Sequence, residues 1–131
     1  MSSEPTLSKN QRVVLDALRA GGQAMSAYQV LGTESVRASG LKAPLTIYRA
    51  LDKLIALGLV HRIESMNAFI PCKHAPHHHA AVLMICESCH RTIEVATSDV
   101  ERSINAEARA AGFAVKRVSI EVSGRCDACD E

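Results

Sequence analysis

Between Cys72 and His90 the chain reads CKHAPHHHAAVLMICESCH, a stretch holding three of its five cysteines and five of its six histidines. Thiolates and imidazoles are the donors that zinc-like ions prefer. The clearest pattern is a pair of Cys-x-x-Cys turns, Cys86/Cys89 and Cys126/Cys129. Two thiolates at this spacing can hold one ion side by side, and two such turns facing each other make a tetrahedral four-sulfur site suited to zinc. Four protein ligands leave no open coordination position, so such an ion is structural rather than catalytic. The alternatives are a redox pair or plain buried cysteines. A thioredoxin-like redox pair needs a Cys-x-x-Cys that opens a helix, and neither turn does so here. An odd cysteine count also argues against a disulfide framework.

Cys72 and the histidines suggest a second site. The runs VHRIES and AFIPC read as two strands of a hairpin around Met66-Asn67, where Asn tolerates the left-handed backbone of a tight turn. If those two residues are the turn, Ser65 pairs with Ala68 and His61 lies directly opposite Cys72, with Cβ atoms roughly 5 Å apart. An imidazole and a thiolate then leave one face together as half a site. The other donors must come from residues further along the chain. His77, His78 and His79 are candidates, and Glu94 can add an oxygen. Each has a plainer alternative: strand packing for His61, solvation for the histidine run, a water-facing carboxylate for Glu94.

The elements that position these groups are set by apolar spacing. Ser8 caps a helix to about Arg19 carrying Val14, Leu15 and Leu18, and Gly21-Gly22 ends it. Ser26 caps a second helix through Tyr28, Val30 and Leu31, and residues 33–42 hold a further turn or short helix. Pro44 suits the first turn of a helix with the stripe Ile47, Leu51, Leu54 and Ile55, closed by Gly58. Arg49, Asp52 and Lys53 lie off that stripe. Helices followed by a two-stranded hairpin are the order of a winged helix-turn-helix. The rear part reads as strands over 82–86 and 91–95, a helix from Ser98 to about Ala111 with Val100, Ile104 and Ala108 on one face, and a strand from Phe113 to Val122 with one change of register. The expected fold is α+β: a winged helix-turn-helix over 1–73, a hinge over 74–81 and a small α/β dimerisation domain with a four-cysteine zinc site over 82–131.

Charge divides the same way. Residues 1–73 carry a balance of +4 and residues 74–131 one of −3, hidden within a net +1. A basic front and an acidic rear imply different partners, although ordinary scatter gives the same numbers. No run approaches the roughly 18 to 20 apolar residues of a membrane span. The opening MSSEPTLSKNQR has neither a basic start nor an apolar core, so a cytoplasmic location is expected.

PLTIYRALDKLIALGLVHRIES, then CESC, a helix and AGFAVKRVSIEVSGRCDAC, resembles the ferric uptake regulator (Fur) family, in element order over nearly the whole chain. Within it the likeness is to zinc-sensing members. That resemblance implies two zinc ions per protomer: a structural ion on Cys86, Cys89, Cys126 and Cys129, and a regulatory ion on His61, Cys72, His79 and Glu94. It implies a homodimeric repressor on a palindromic double-stranded DNA operator, with Tyr28 and Arg49 at base-contacting positions and Thr46 and Tyr48 near the backbone. Arg49 is also the best base reader on physical grounds, since arginine pairs bidentately with guanine. For Tyr48 core packing is the alternative. Arg12, Arg19, Lys42 and Lys53 are candidate phosphate partners. One departure informs: iron-sensing members carry His-x-His just before the first Cys-x-x-Cys, where this chain has Ala81 to Met84. The cysteine ligand Cys72 favours zinc over iron, manganese or peroxide sensing.

Two other functional classes fit less well. A zinc enzyme would carry HExxH or H-x-E ahead of P-C-x-x-C, and neither occurs. No Gly-rich phosphate loop points to a small organic substrate, and no membrane partner is expected. A zinc-buffering or interaction module would need neither the winged helix nor Arg49.

Overall fold

The computed structural model describes residues 6–73, 81–96 and 98–129. It divides into two units, Met1–His78 and His79–Glu131. The expected hinge lies, up to residue 80, outside the described residues. No helix among the described residues is long and apolar enough to cross a membrane.

The front unit begins with α1, Lys9–Gly21. Ser8 and Gln11 close a capping box: the Ser8 Oγ accepts from the Gln11 N–H at 3.2 Å, and the Gln11 Oε1 accepts from the Ser8 N–H at 3.0 Å. Ser26 and Gln29 repeat the device at the start of α2, Ala27–Leu31. The turn or short helix expected over 33–42 is α3, Glu34–Ala38. Helix α4, Pro44–Ala56, starts with proline in its first turn, where the missing N–H costs nothing. Strands β1, Val60–Ile63, and β2, Ala68–Pro71, form the antiparallel wing. Met25 adds a single bridge to Phe69, with backbone bonds of 3.0 and 2.7 Å. Val14, Leu15 and Leu18 of α1 meet Val30, Val36, Ile47, Leu51, Leu54 and Phe69 in one buried cluster. Each large side chain sealed there contributes roughly 1.5–3 kcal/mol of transfer free energy.

The wing register corrects the expected one. Ile63 opposes Ala68 and Val60 opposes Pro71, so His61 faces Ile70 rather than Cys72. The loop has four residues, Glu64 to Asn67, instead of two. A two-residue type I′ turn would need positive φ at both Met66 and Asn67, and of these only Asn67 has it, at 48°. The Met66 N–H bonds to the Ile63 carbonyl at 3.2 Å, and the Arg62 guanidinium donates to the Asn67 Oδ1 at 2.9 Å. The slip is two residues, which preserves the face of every side chain.

The rear unit is a three-stranded sheet in the order β4-β3-β5, with β3 at Ala81–Cys86, β4 at Thr92–Ala96 and β5 at Ile120–Gly124. β4 runs antiparallel to β3, and β5 parallel to it. Helix α5, Ser98–Ala110, connects β4 to β5. It ends in a Schellman motif: Gly112 has φ 71°, the Phe113 N–H bonds to the Ala108 carbonyl at 2.8 Å, and the Gly112 N–H to that of Arg109 at 3.1 Å. The strand expected from Phe113 is confined to Ile120–Gly124. In the parallel register β3 offers partners from Val82 to Cys86, and residues upstream of Ile120 run past that point.

Candidate metal centres

Parallel pairing of β3 with β5 brings the two Cys-x-x-Cys turns together. Both strands finish at the same end of the sheet. Cys86 is the last residue of β3 and stands opposite Gly124, two positions before Cys126. The first turn is held by the Cys86 N–H on the Arg91 carbonyl at 2.9 Å and the Glu87 N–H on the Gly124 carbonyl at 2.8 Å. His90, with φ 64°, supplies the left-handed residue that turns the chain into β4. The second turn closes through the Cys129 N–H on the Cys126 carbonyl at 3.0 Å. Arg91, just after the first turn, reaches Asp127 in the second at 3.4 Å. Sequence reasoning missed this exposed clasp, because nothing in either residue's spacing announces it.

The four sulfurs lie within 4.8 Å of one another. Cys89 Sγ and Cys126 Sγ are 3.7 Å apart. A tetrahedron with zinc–sulfur bonds of ~2.3 Å has sulfur–sulfur edges of ~3.8 Å, so the donor set fits a zinc ion.

The electrostatics point the same way. The Cys86 thiol falls from 9.0 to about 5, chiefly because the backbone of Cys126 and then that of Cys89 donate hydrogen bonds to it. The Cys89 N–H lies 3.5 Å from the Cys86 Sγ. At Cys126 burial pushes the thiol up, but hydrogen bonds from Cys129 and Cys89 outweigh it and the net shift is downward. Cys129 rises to about 12 because its proton is shared with Cys126, then Cys86 and Cys89. The cluster thus gathers negative charge and holds protons as hydrogen-bond donors, the arrangement a divalent cation would displace.

A second donor pair sits at the base of the wing. Cys72, just beyond β2, is buried, and its N–H bonds to the Leu59 carbonyl at 2.8 Å. His61 on β1 is half-buried. An imidazole nitrogen of His61 and the Cys72 Sγ lie within 4.8 Å of each other. They are diagonal neighbours on one face, a separation that long side chains span. In the rear unit Glu94 on β4 is 8 % exposed, the one charged side chain classed as buried among the described residues. A carboxylate is seldom so buried without a partner or an ion. His77, His78 and His79 lie outside the described residues.

The expected DNA-contacting residues fall on two helices of the front unit. Tyr28 on α2 is 65 % exposed and Arg49 on α4 is exposed. Thr46 is half-buried. Tyr48 is half-buried too, with its ring edge-on to Phe69 at 6.4 Å between centroids. Arg12, Arg19, Lys42 and Lys53 are all exposed.

Comparison with known proteins places these features in a lineage. The ferric uptake regulator family model matches residues 8–123. The zinc uptake regulation protein of Escherichia coli (strain K12) is 37 % identical over 110 residues, covering 82 % of this chain and 63 % of the relative, so the chain spans less than two thirds of that relative's length. Its counterpart in Mycobacterium tuberculosis (strain ATCC 25618 / H37Rv) is 30 % identical over 132 residues, 98 % of each chain. Among solved structures, the zinc uptake regulator complexed with zinc and DNA superposes with a TM-score of 0.86 at 32 % identity, covering 97 % of this chain and 85 % of that one. Holo XcZur gives 0.84 at 36 % identity, covering 94 % and 85 %.

Proposed function

The chain belongs to the ferric uptake regulator family, and from that premise we propose that it is a zinc-responsive, DNA-binding transcriptional repressor of zinc-uptake genes. The observation that carries this reading is the His61–Cys72 pair at the base of the wing. A nitrogen–sulfur pair selects zinc over the harder iron(II) and manganese(II). The named relatives and the zinc- and DNA-bound structure support the same reading.

The mechanism rests on which unit supplies each ligand. His61 and Cys72 belong to the front unit; His79 of the expected hinge and Glu94 of the rear unit would complete the regulatory site. Zinc supplies a divalent charge that such donors can share without redox chemistry. By sharing one ion, all four side chains would fix the angle between the two units. Cys86, Cys89, Cys126 and Cys129 serve a separate structural ion, giving two ions per protomer. The protein acts as a homodimer in the cytoplasm and is not an enzyme. Fixing the hinge in both protomers sets the spacing of two α4 helices, which must match operator half-sites about one helical turn or a multiple apart. Arg49 and Tyr28 contact bases of a palindromic operator, and Thr46 and Tyr48 lie by the phosphates. By linkage, metal and DNA tighten each other's binding, with a typical coupling of about 1–3 kcal/mol.

The test is duplex binding at buffered free zinc, iron(II) and manganese(II). Zinc is expected to raise affinity at far lower free concentration than the other two. A stronger response to iron or manganese would make the chain an iron or manganese sensor of the same family.

A further inference from the structure

Helix α4 carries an apolar side chain that the fold leaves in water. Its buried stripe is Ile47, Ala50, Leu51 and Leu54. At 100° per residue, Leu45 and Arg49 both point away from the centre of that stripe. Leu45 is 58 % exposed, one turn before the exposed Arg49. The exposed Asp52 lies on the same side, nearly one turn further on. Its carboxylate repels phosphates, so the first two turns of α4 are the part suited to enter a DNA groove.

We propose that Leu45 is a specificity-determining residue that reads a thymine methyl group in the major groove, one or two base pairs from the guanine contacted by Arg49. This rests on the reading of α4 as the DNA-reading helix. A leucine side chain has no donor or acceptor, and the thymine C5-methyl is the apolar feature of the major-groove edge. Side chains four apart on a helix have Cβ atoms about 5–6 Å apart, which spans one to two base steps of ~3.4 Å. Single exposed leucines are common on protein surfaces, and that ordinary explanation is what the experiment separates from this one.

The zinc-loaded full chain is first used to select preferred duplexes from a random pool. The guanine read by Arg49 is located with 7-deazaguanine, whose effect vanishes in Arg49→Ala. Each nearby thymine is then replaced by deoxyuridine, which lacks only the methyl group. At one position within two base pairs of that guanine the wild type is expected to lose about fourfold in affinity per half-site. Leu45→Ala should bind the thymine duplex about as weakly and lose nothing further on deoxyuridine. Because Leu45 is exposed, the variant should keep wild-type circular dichroism and zinc content. The same deoxyuridine penalty in Leu45→Ala as in the wild type, or no sensitive thymine in a duplex that still binds with zinc, overturns the proposal while sparing the function it rests on. Failure to select any duplex in a zinc-dependent way overturns both.

Discussion

Cys86 stands opposite Gly124 across the parallel β3–β5 pair, and this single register decides whether the chain can build a four-sulfur site. An antiparallel β5 would have delivered its Cys-x-x-Cys to the opposite end of the sheet. An ion held there and the sheet would stabilise each other. Cys126→Ser is therefore expected to lose zinc and the cooperative melting of the rear unit. Cys72→Ser should keep the structural zinc and normal helicity but lose the zinc response in DNA binding. Metal analysis with circular dichroism checks this, and equal loss of structure in both variants would refute the division of roles.

The thiol cluster predicts how many protons zinc displaces. With its thiol at about 5, Cys86 is already a thiolate at pH 7. Cys129, raised to about 12, still holds its proton and must release it to become a ligand. Of the four thiols, at least one therefore has no proton to give, so loading the metal-free cluster at pH 7 should release three or fewer per zinc. Because Cys129 holds its proton throughout this range, zinc affinity should already fall as pH is lowered from neutrality, and more steeply once pH approaches the lowered Cys86 value. Calorimetry in buffers of different ionisation enthalpy counts the protons, and a count of four contradicts the lowered Cys86 thiol.

The wing turn offers a backbone test. Asn67 sits at φ 48°, a conformation that β-branched residues adopt at a cost of about 1–2 kcal/mol. Asn67→Val is expected to destabilise the front unit by about that amount, while Asn67→Gly should be near neutral despite losing the same Arg62 contact. Urea denaturation of both variants measures the difference. Equal destabilisation would assign the effect to the Arg62–Asn67 bond instead.

The sequence makes some of this legible and not the rest, for physical reasons. Ser8 and Ser26 each sit three residues before a Gln, a local signature that reads directly as a helix start, and Pro44 and Gly58 bracket α4 in the same local way. Each Cys-x-x-Cys turn is legible because its two thiolates can share an ion by spacing alone, whereas the meeting of the two turns depends on the β3–β5 register. The wing register is not, because it hinges on whether Met66 accepts a left-handed backbone, and the four-residue loop avoids that. The two-residue slip keeps His61 and Cys72 on one face, so the two donors stay neighbours despite the incorrect pairing. Phe113 to Val122 alternates with one change of register, yet a strand also needs a partner, which periodicity does not report. Leu45 is hidden in the sequence because an apolar residue near a helix start reads as core until its exposure is known.

The proposed homodimer has a candidate face on the rear unit. Met84 on the central strand is flanked by Ile93 on β4 and Val122 on β5, so the three form a row across one face of the sheet. They are 40, 38 and 43 % exposed, and Val82, Val95 and Ile120 extend the same face. On α5 none of the described side chains is buried, although Val100, Ile104 and Ala108 share one side. Apolar surface left open on both a sheet and a helix is the condition under which a second copy gains most by burial, and a two-fold interface uses one patch twice. A charge placed in the row enters such an interface twice, desolvated and beside its own symmetry mate. Met84→Glu is therefore expected to weaken the dimer about a hundredfold or more, from roughly 3 kcal/mol or more of buried charge, while leaving the four-cysteine cluster's zinc binding intact. Sedimentation equilibrium at graded concentrations measures it. A dimer constant unchanged in Met84→Glu would move the interface off this face of the sheet.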